Sequence, residues 1–260
     1  ACEDFNTLNF GGRREDGTTP YRLGDQDLSL FFGQSSFSQY VVTRASNAVV
    51  VDPEVDLTLL GPLGCGIQTG SGTVLNRLKP VVGESLVVFG CGAVGLSAIM
   101  AAKLTGCSQI IAVDIHASRL ALARELGATH QINGKEQDAV AVIKQITGKG
   151  AHYAVETTGV SAIVLQAVHA VKPLGTVAIV GFTGDITLNV QNDLMAEGKS
   201  LVGVIEGDAV PALFIPLLVQ LYKQGKFPID KLIARYPLAD INQAFADSAS
   251  GKVIKPVVVM

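Results

Sequence analysis

Three glycines and one carboxylate carry the clearest chemistry in this chain. In SLVVFGCGAVGLSAIMAAKLTGCSQIIAVD, residues 85–114, Gly90, Gly92 and Gly95 follow the spacing G-x-G-x-x-G, and Asp114 stands 19 residues after Gly95. The glycines follow an apolar strand-like run and open a helical one, which is the context a dinucleotide-binding turn requires. Gly90 permits the tight turn, Gly92 leaves no Cβ between backbone and pyrophosphate, and Gly95 lets the helix pack close to the strand. The helix N-terminus, with Ala93 and Val94 in its first turn, offers free N–H groups and a positive dipole end to a diphosphate. Asp114 can accept hydrogen bonds from both ribose hydroxyls, and its charge repels a 2′-phosphate, which favours NAD over NADP. In a chain with 28 glycines the motif alone is weak; its flanking elements and the acid give it weight. Other readings stay open: a doubly wound domain without nucleotide, or a methyltransferase-type turn. Ser85–Ala102 is also an uncharged run of about the minimum length for a membrane span, but its glycines weaken it as one.

The elements that must hold this turn are legible around it. From Gly66 onward, Val- and Ile-rich runs (SLVVFG, QIIAVD, HQIN, AHYAVET, GTVAIVG, SLVGVIE) alternate with amphipathic stretches such as ASRLALARELGA and QDAVAVIKQITG. Strands alternating with helices of that length predict βαβ units on a parallel sheet. Residues 1–62 are punctuated by Gly, Ser and Thr, and the runs QYVVT and NAVVVD predict short antiparallel strands. The end returns to helices (VPALFIPLLVQLYKQG, LADINQAFADSASG) and a closing strand, VIKPVVVM, expected to rejoin the first segment.

Composition limits the function classes. At 260 residues, 48% hydrophobic and 17% charged, the chain is globular rather than disordered. A net charge of −3 without basic runs argues against nucleic acid or anionic lipid as partner. No leader pattern begins the sequence, and Cys2, Cys65, Cys91 and Cys107 are too few and scattered for a disulfide framework, which points to reduced thiols in the cytoplasm. Cys91 and Cys107 read as packing residues, and His116, His130, His152 and His169 as structural or surface groups.

GPLGCGIQTGSGTVLN, the 90–95 turn, VDIHASRLALARELGA and GKVIKPVVV together resemble the zinc-dependent medium-chain alcohol dehydrogenases over nearly the whole chain. VIEGD, LYKQGKFPIDKLI and YPLADINQAFADSASGKVIKP look most similar to the aryl-alcohol (benzyl alcohol) branch. The resemblance implies a Rossmann domain over 66–205, with 1–65 and 206–260 belonging to a mainly β, GroES-like catalytic domain. It implies hydride transfer between NAD and a primary, aromatic or allylic alcohol, with the aldehyde as product, and a homo-oligomer, dimer or tetramer, pairing at the strand near SLVGVIE.

Site residues follow by position. Cys65 matches a catalytic zinc ligand and Cys2 the last of four structural-zinc cysteines. Thr69 matches a residue touching nicotinamide, Val94 the apolar side chain behind that ring, and Arg119 a cation near the adenosine ribose. Thr157, Val180, Phe182 and Val204 match the lining of the carboxamide end, and Lys255 a cation on the pyrophosphate. The family's other zinc ligands, a Cys and a His, with the adjoining acid and the hydroxyl that begins its proton relay, fall upstream of the matched region, so little zinc and little turnover are expected of these 260 residues alone. A non-catalytic NAD-binding chain without its zinc half is the second reading.

Overall fold

The computed structural model describes residues 3–32, 37 and 39–260; Cys2 lies outside them. Before Pro62, regular structure is sparse: helix α1 (Phe5–Phe10) and a two-residue hairpin of β1 (Arg22–Leu23) and β2 (Gln26–Asp27). The runs QYVVT and NAVVVD form no strand, contrary to expectation. Strand propensity expresses packing on a pleated, half-buried surface, and Val42 and Val50 here are 88% and 91% exposed. Among the described residues no strand lies beside either run to supply that surface.

Beyond Cys65 the alternation is realised. Helix α2 (Gly66–Gly72) continues in wider turns to Leu78. There follow β3 (Ser85–Phe89), α3 (Ala93–Leu104), β4 (Gln109–Asp114), α4 (Ala117–Leu126), β5 (His130–Asn133), α5 (Ala139–Thr147), β6 (Ala151–Glu156), α6 (Ser161–Ala170), β7 (Val171–Ile179) and β8 (Ser200–Gly203). The strands form one parallel sheet in the order β5-β4-β3-β6-β7-β8. β7 starts earlier than GTVAIVG suggests, because Val171 already pairs with Ala151 before a register shift.

Every residue of β3 is buried, as a central parallel strand covered on both faces must be. Leu86 and Val88 face a core shared with α2, α3 and the helix over 211–223, and Val87 and Phe89 face a second core shared with α5 and α6. This two-residue alternation fixes the register, since a slip of one position would exchange the two cores. Strand order reverses between β3 and β6, and the carboxyl ends of those strands part to leave a crevice.

The tail contributes α7 (Pro211–Lys223), β9 (Ile233–Pro237), α8 (Ile241–Ala249) and β10 (Lys255–Val259). The closing strand forms as expected, but its partner is β9, in parallel register from Lys255↔Ile233. β10 also lies against the tight turns Leu57–Leu59 and Gly61–Gly64 that lead to Cys65. Ion pairs of Lys223 with Asp52 and Glu54, and of Arg235 with Asp56, tie the tail to residues 52–56. Such exposed pairs contribute little each.

Candidate functional site

A cavity of about 930 Å³ opens at the point of strand reversal. Its wall runs from Asp114, Ile115, His116 and Arg119, through Gly90, Gly92 and Ala93, to Val94, Gly66 and Cys65, with Thr157 and Lys255 also on the lining. Contacts fix that order. The Cys91 N–H donates to Asp114 Oδ2 at 2.7 Å, and a Cβ on Gly66 would lie 3.6 Å from Val94 Cγ2.

The glycine turn follows from sterics. Gly90 has φ +91°, and a Cβ there would meet Thr157 Oγ1 at 2.6 Å; a Cβ on Gly95 would meet the Gly90 carbonyl oxygen at 1.8 Å. Gly92 differs: a Cβ there would meet nothing within 4 Å. No side chain caps the N-terminus of α3, which begins directly after Gly92. Uncapped helical N–H groups and an open backbone face suit a diphosphate. Asp114, only 7% exposed, accepts from Ile115 N–H at 2.7 Å and His116 N–H at 2.8 Å through Oδ1, and from Cys91 N–H through Oδ2. It therefore braces the turn while facing the cavity, and these residues fit a dinucleotide.

Cys65 sits at the N-cap of α2. Burial pushes its thiol pKa up, the Glu206 charge adds to this, and Lys255 opposes it. α2 is clamped to α3: a Cβ on Gly70 would fall 1.9 Å from the Val94 carbonyl oxygen, and the Ser97 hydroxyl donates to that same carbonyl at 2.8 Å. On its other side α2 meets the turn 206–208, where a Cβ on Gly72 would fall 2.4 Å from the Gly207 carbonyl oxygen. Glu206 Oε2 accepts from Gln68 Nε2 at 3.0 Å and from Thr69 Oγ1 at 3.2 Å. Among the described residues no group of three or more His, Cys, Asp or Glu is placed to hold a metal ion. Cys65 alone does not make a zinc site, which takes at least three protein donors.

The other candidate residues separate into two groups. Thr157 and Lys255 line the cavity, and the Thr157 hydroxyl bonds the carbonyls of Phe89 and Gly90 at 2.9 and 3.1 Å. Arg119 lines it too, with its Nε buried and unpartnered among the described residues. Thr69, Gly95, Val180, Phe182 and Val204 are not on the lining. Val204 is buried, its N–H donating to the Ile179 carbonyl, while Phe182 is 96% exposed. Cys91 is buried, and desolvation drives its thiol pKa far up, as suits a packing residue. Sequence reasoning missed Glu156, Gln68 and Glu206. Glu156 is fully buried at the end of β6 and accepts from Thr158 N–H at 2.7 Å and Gly159 N–H at 3.2 Å, shaping the loop beside Gly90. A carboxylate closing an apolar strand was its only signal.

Comparison with known proteins bears on the family and the fold. Residues 93–223 match the family model described as zinc-binding dehydrogenase. The chain is 43% identical to a geraniol dehydrogenase of Castellaniella defragrans, over 99% of this chain and 70% of that protein. A crystal structure of an alcohol dehydrogenase zinc-binding domain protein from Burkholderia ambifaria superposes with a TM-score of 0.94 at 50% identity, covering 100% of this chain and 71% of that one. Benzyl alcohol dehydrogenase from Acinetobacter calcoaceticus superposes with a TM-score of 0.92 at 48% identity, covering 99% and 70%. The sequence thus spans about 70% of the length of these relatives. On the family match, the relatives and the shared fold, the chain belongs to the zinc-binding dehydrogenase family of alcohol dehydrogenases.

Proposed function

We propose that the cleft binds NAD and that the substrate is a primary alcohol of aromatic or allylic type, taken to its aldehyde. The observation that carries the cofactor reading is the open backbone at Gly92 beside the braced carboxylate of Asp114. Gly90, Gly92, Ala93, Val94 and Gly95 seat the diphosphate, with Lys255 as its cation. Asp114 and Arg119 hold the adenosine ribose. The nicotinamide then falls at the Cys65 end, against Val94 and with Thr157 near its carboxamide; Thr69, Val180, Phe182 and Val204, off the lining of the cavity, are assigned to that end by the resemblance alone. Support for the substrate class comes from the relatives named for geraniol and benzyl alcohol. The same names favour an enzyme over a non-catalytic NAD-binding chain.

Bound NAD would supply a two-electron hydride acceptor for the alcohol carbon, so that each alcohol would give overall one aldehyde, one NADH and one proton. The chain's own part is positional. The turn and Asp114 anchor one end of the cofactor, and the clamp between α2 and α3 keeps Val94 and Cys65 at a fixed distance behind the other. Zinc in this family would supply a Lewis acid for the alcohol oxygen, and Cys65 would be one of its protein donors. Domain limits of 1–65, 66–205 and 206–260, a cytoplasmic setting for the free thiols, and a homo-oligomer complete the proposal. Calorimetric titration with NAD and NADPH tests it, together with alcohol-dependent formation of NADH using benzyl alcohol and geraniol. NAD binding with NADPH excluded is the expected result, and absence of any NAD uptake by folded protein overturns it.

A further inference from the structure

Three carboxylates are buried among the described residues: Asp114, Glu156 and Asp247. A buried carboxylate is costly unless its oxygens are met, and the first two brace loops at the cleft. Asp247, on α8 and 6% exposed, is off the lining of the cleft. Its Oδ1 accepts from Gln243 Nε2 at 2.8 Å, and its Oδ2 from the Tyr236 hydroxyl at 2.8 Å and Lys252 Nζ at 2.9 Å. These donors come from three places: α8 itself, β9, and the turn between α8 and β10.

That turn is the last stretch of chain before Lys255. The N–H groups of Lys252 and Val253 both donate to the Asp247 carbonyl, at 3.0 and 3.4 Å. Gly251, at φ 74°, lies against α4, where a Cβ would come 3.1 Å from a terminal nitrogen of the Arg119 guanidinium. The turn is thus hung from α8 on one side and seated on α4 on the other. Ile254 and Lys255, directly after it, enter the lining of the cleft, and β10 takes its register from β9, with Val258 opposite Tyr236. No carboxylate among the described residues pairs with Lys255, so the placing of its ammonium falls to the backbone that carries it.

We propose that Asp247 is a positioning residue for cofactor binding: through the turn it fixes, it holds the Lys255 ammonium on the wall of the cleft where the diphosphate is received. This rests on the NAD reading above. The negative charge of Asp247 does not itself attract a diphosphate. Its place in the site comes from the chain it holds.

The test is titration with ADP-ribose, and with adenosine as a ligand without phosphate, of the protein, Asp247→Asn, Lys255→Met and the double variant. Lys255→Met should weaken ADP-ribose about tenfold, the worth of one charge-assisted contact. Asp247→Asn should weaken it about threefold to tenfold and leave adenosine within about twofold. The sign is diagnostic, because removing a negative charge by itself would strengthen binding of an anion. In the Lys255→Met background the same change should cost no more than about twofold, since residues that act through one contact are not additive. Tyr236→Phe, neutral and conservative, removes one donor from Asp247 and carries the test should Asp247→Asn not fold; a twofold to threefold loss is expected, again absent without Lys255. ADP-ribose affinity unchanged or raised in folded Asp247→Asn overturns this proposal alone, as does an equal loss with adenosine or in the Lys255→Met background. Failure of the unaltered protein to bind NAD or ADP-ribose overturns the NAD reading, and this one with it.

Discussion

Gly92 and Gly95 serve the turn in opposite ways, and substitution separates them. A methyl at Gly92 meets no protein atom, so Gly92→Ala should melt with the unaltered protein yet lose about tenfold or more in NAD affinity, because it fills the face meant for the diphosphate. A methyl at Gly95 strikes the Gly90 carbonyl, and Gly95→Ala should lower stability by about 1–3 kcal/mol, as overpacking does. Paired thermal melts and cofactor titrations check both. Asp114→Asn turns an amide N–H toward the Cys91 N–H or leaves the Ile115 and His116 donors unmet. A loss of about 1–3 kcal/mol in denaturant titration is expected, with weaker discrimination against NADP. These residues were legible because their roles are local and their spacing is set by backbone geometry. Glu206 was not: its partners Gln68 and Thr69 lie 138 and 137 positions away, and no short pattern encodes such a meeting.

Among the elements, α2 was one that the residue pattern concealed. Four of the nine residues from Gly64 to Gly72 are glycine, a poor composition for a helix. Those same glycines let it lie against α3 and the 206–208 turn, so tertiary contact overrides propensity. The reverse holds for QYVVT and NAVVVD, where strand-forming residues find no strand beside them. At the other end of the sheet, β3 and β6 are joined by a pH-sensitive contact. His152 Nδ1 accepts from the Ser85 N–H at 3.2 Å and meets the Ser85 hydroxyl at 2.8 Å. Burial, and then the charge of Lys172, hold the His152 pKa below its usual 6.5, with Glu84 opposing. The unfolded chain therefore binds the proton more readily. This contribution to stability is complete above pH 6.5 and is lost as pH falls through the lowered folded value. Denaturant titrations on either side of that window should show the loss in the unaltered protein and a smaller one in His152→Asn.

At the scale of the molecule, the doubly wound sheet was readable because each buried strand and covering helix repeats one unit, whereas the β9–β10 pair depends on where the tail lands. One sheet edge has consequences for assembly. Among the described residues β8 pairs only with β7, and Ile205 just after it is exposed; an edge of this kind invites pairing. Light scattering should report a dimer or tetramer, and Ile205→Lys should shift it toward the monomer. The clamp of Gly70 on Val94 and Ser97 bears on how cofactor comes and goes. With no slack between those two helices, the thiol of Cys65 and the glycine turn travel as one rigid block. Clearance for a departing NADH would come from the opposite bank, where β10, which carries Lys255, rests on the tight turns before Cys65 and on α8. Turnover would then be paced by the swing of that bank, and stiffening it should slow product escape while leaving the hydride step alone.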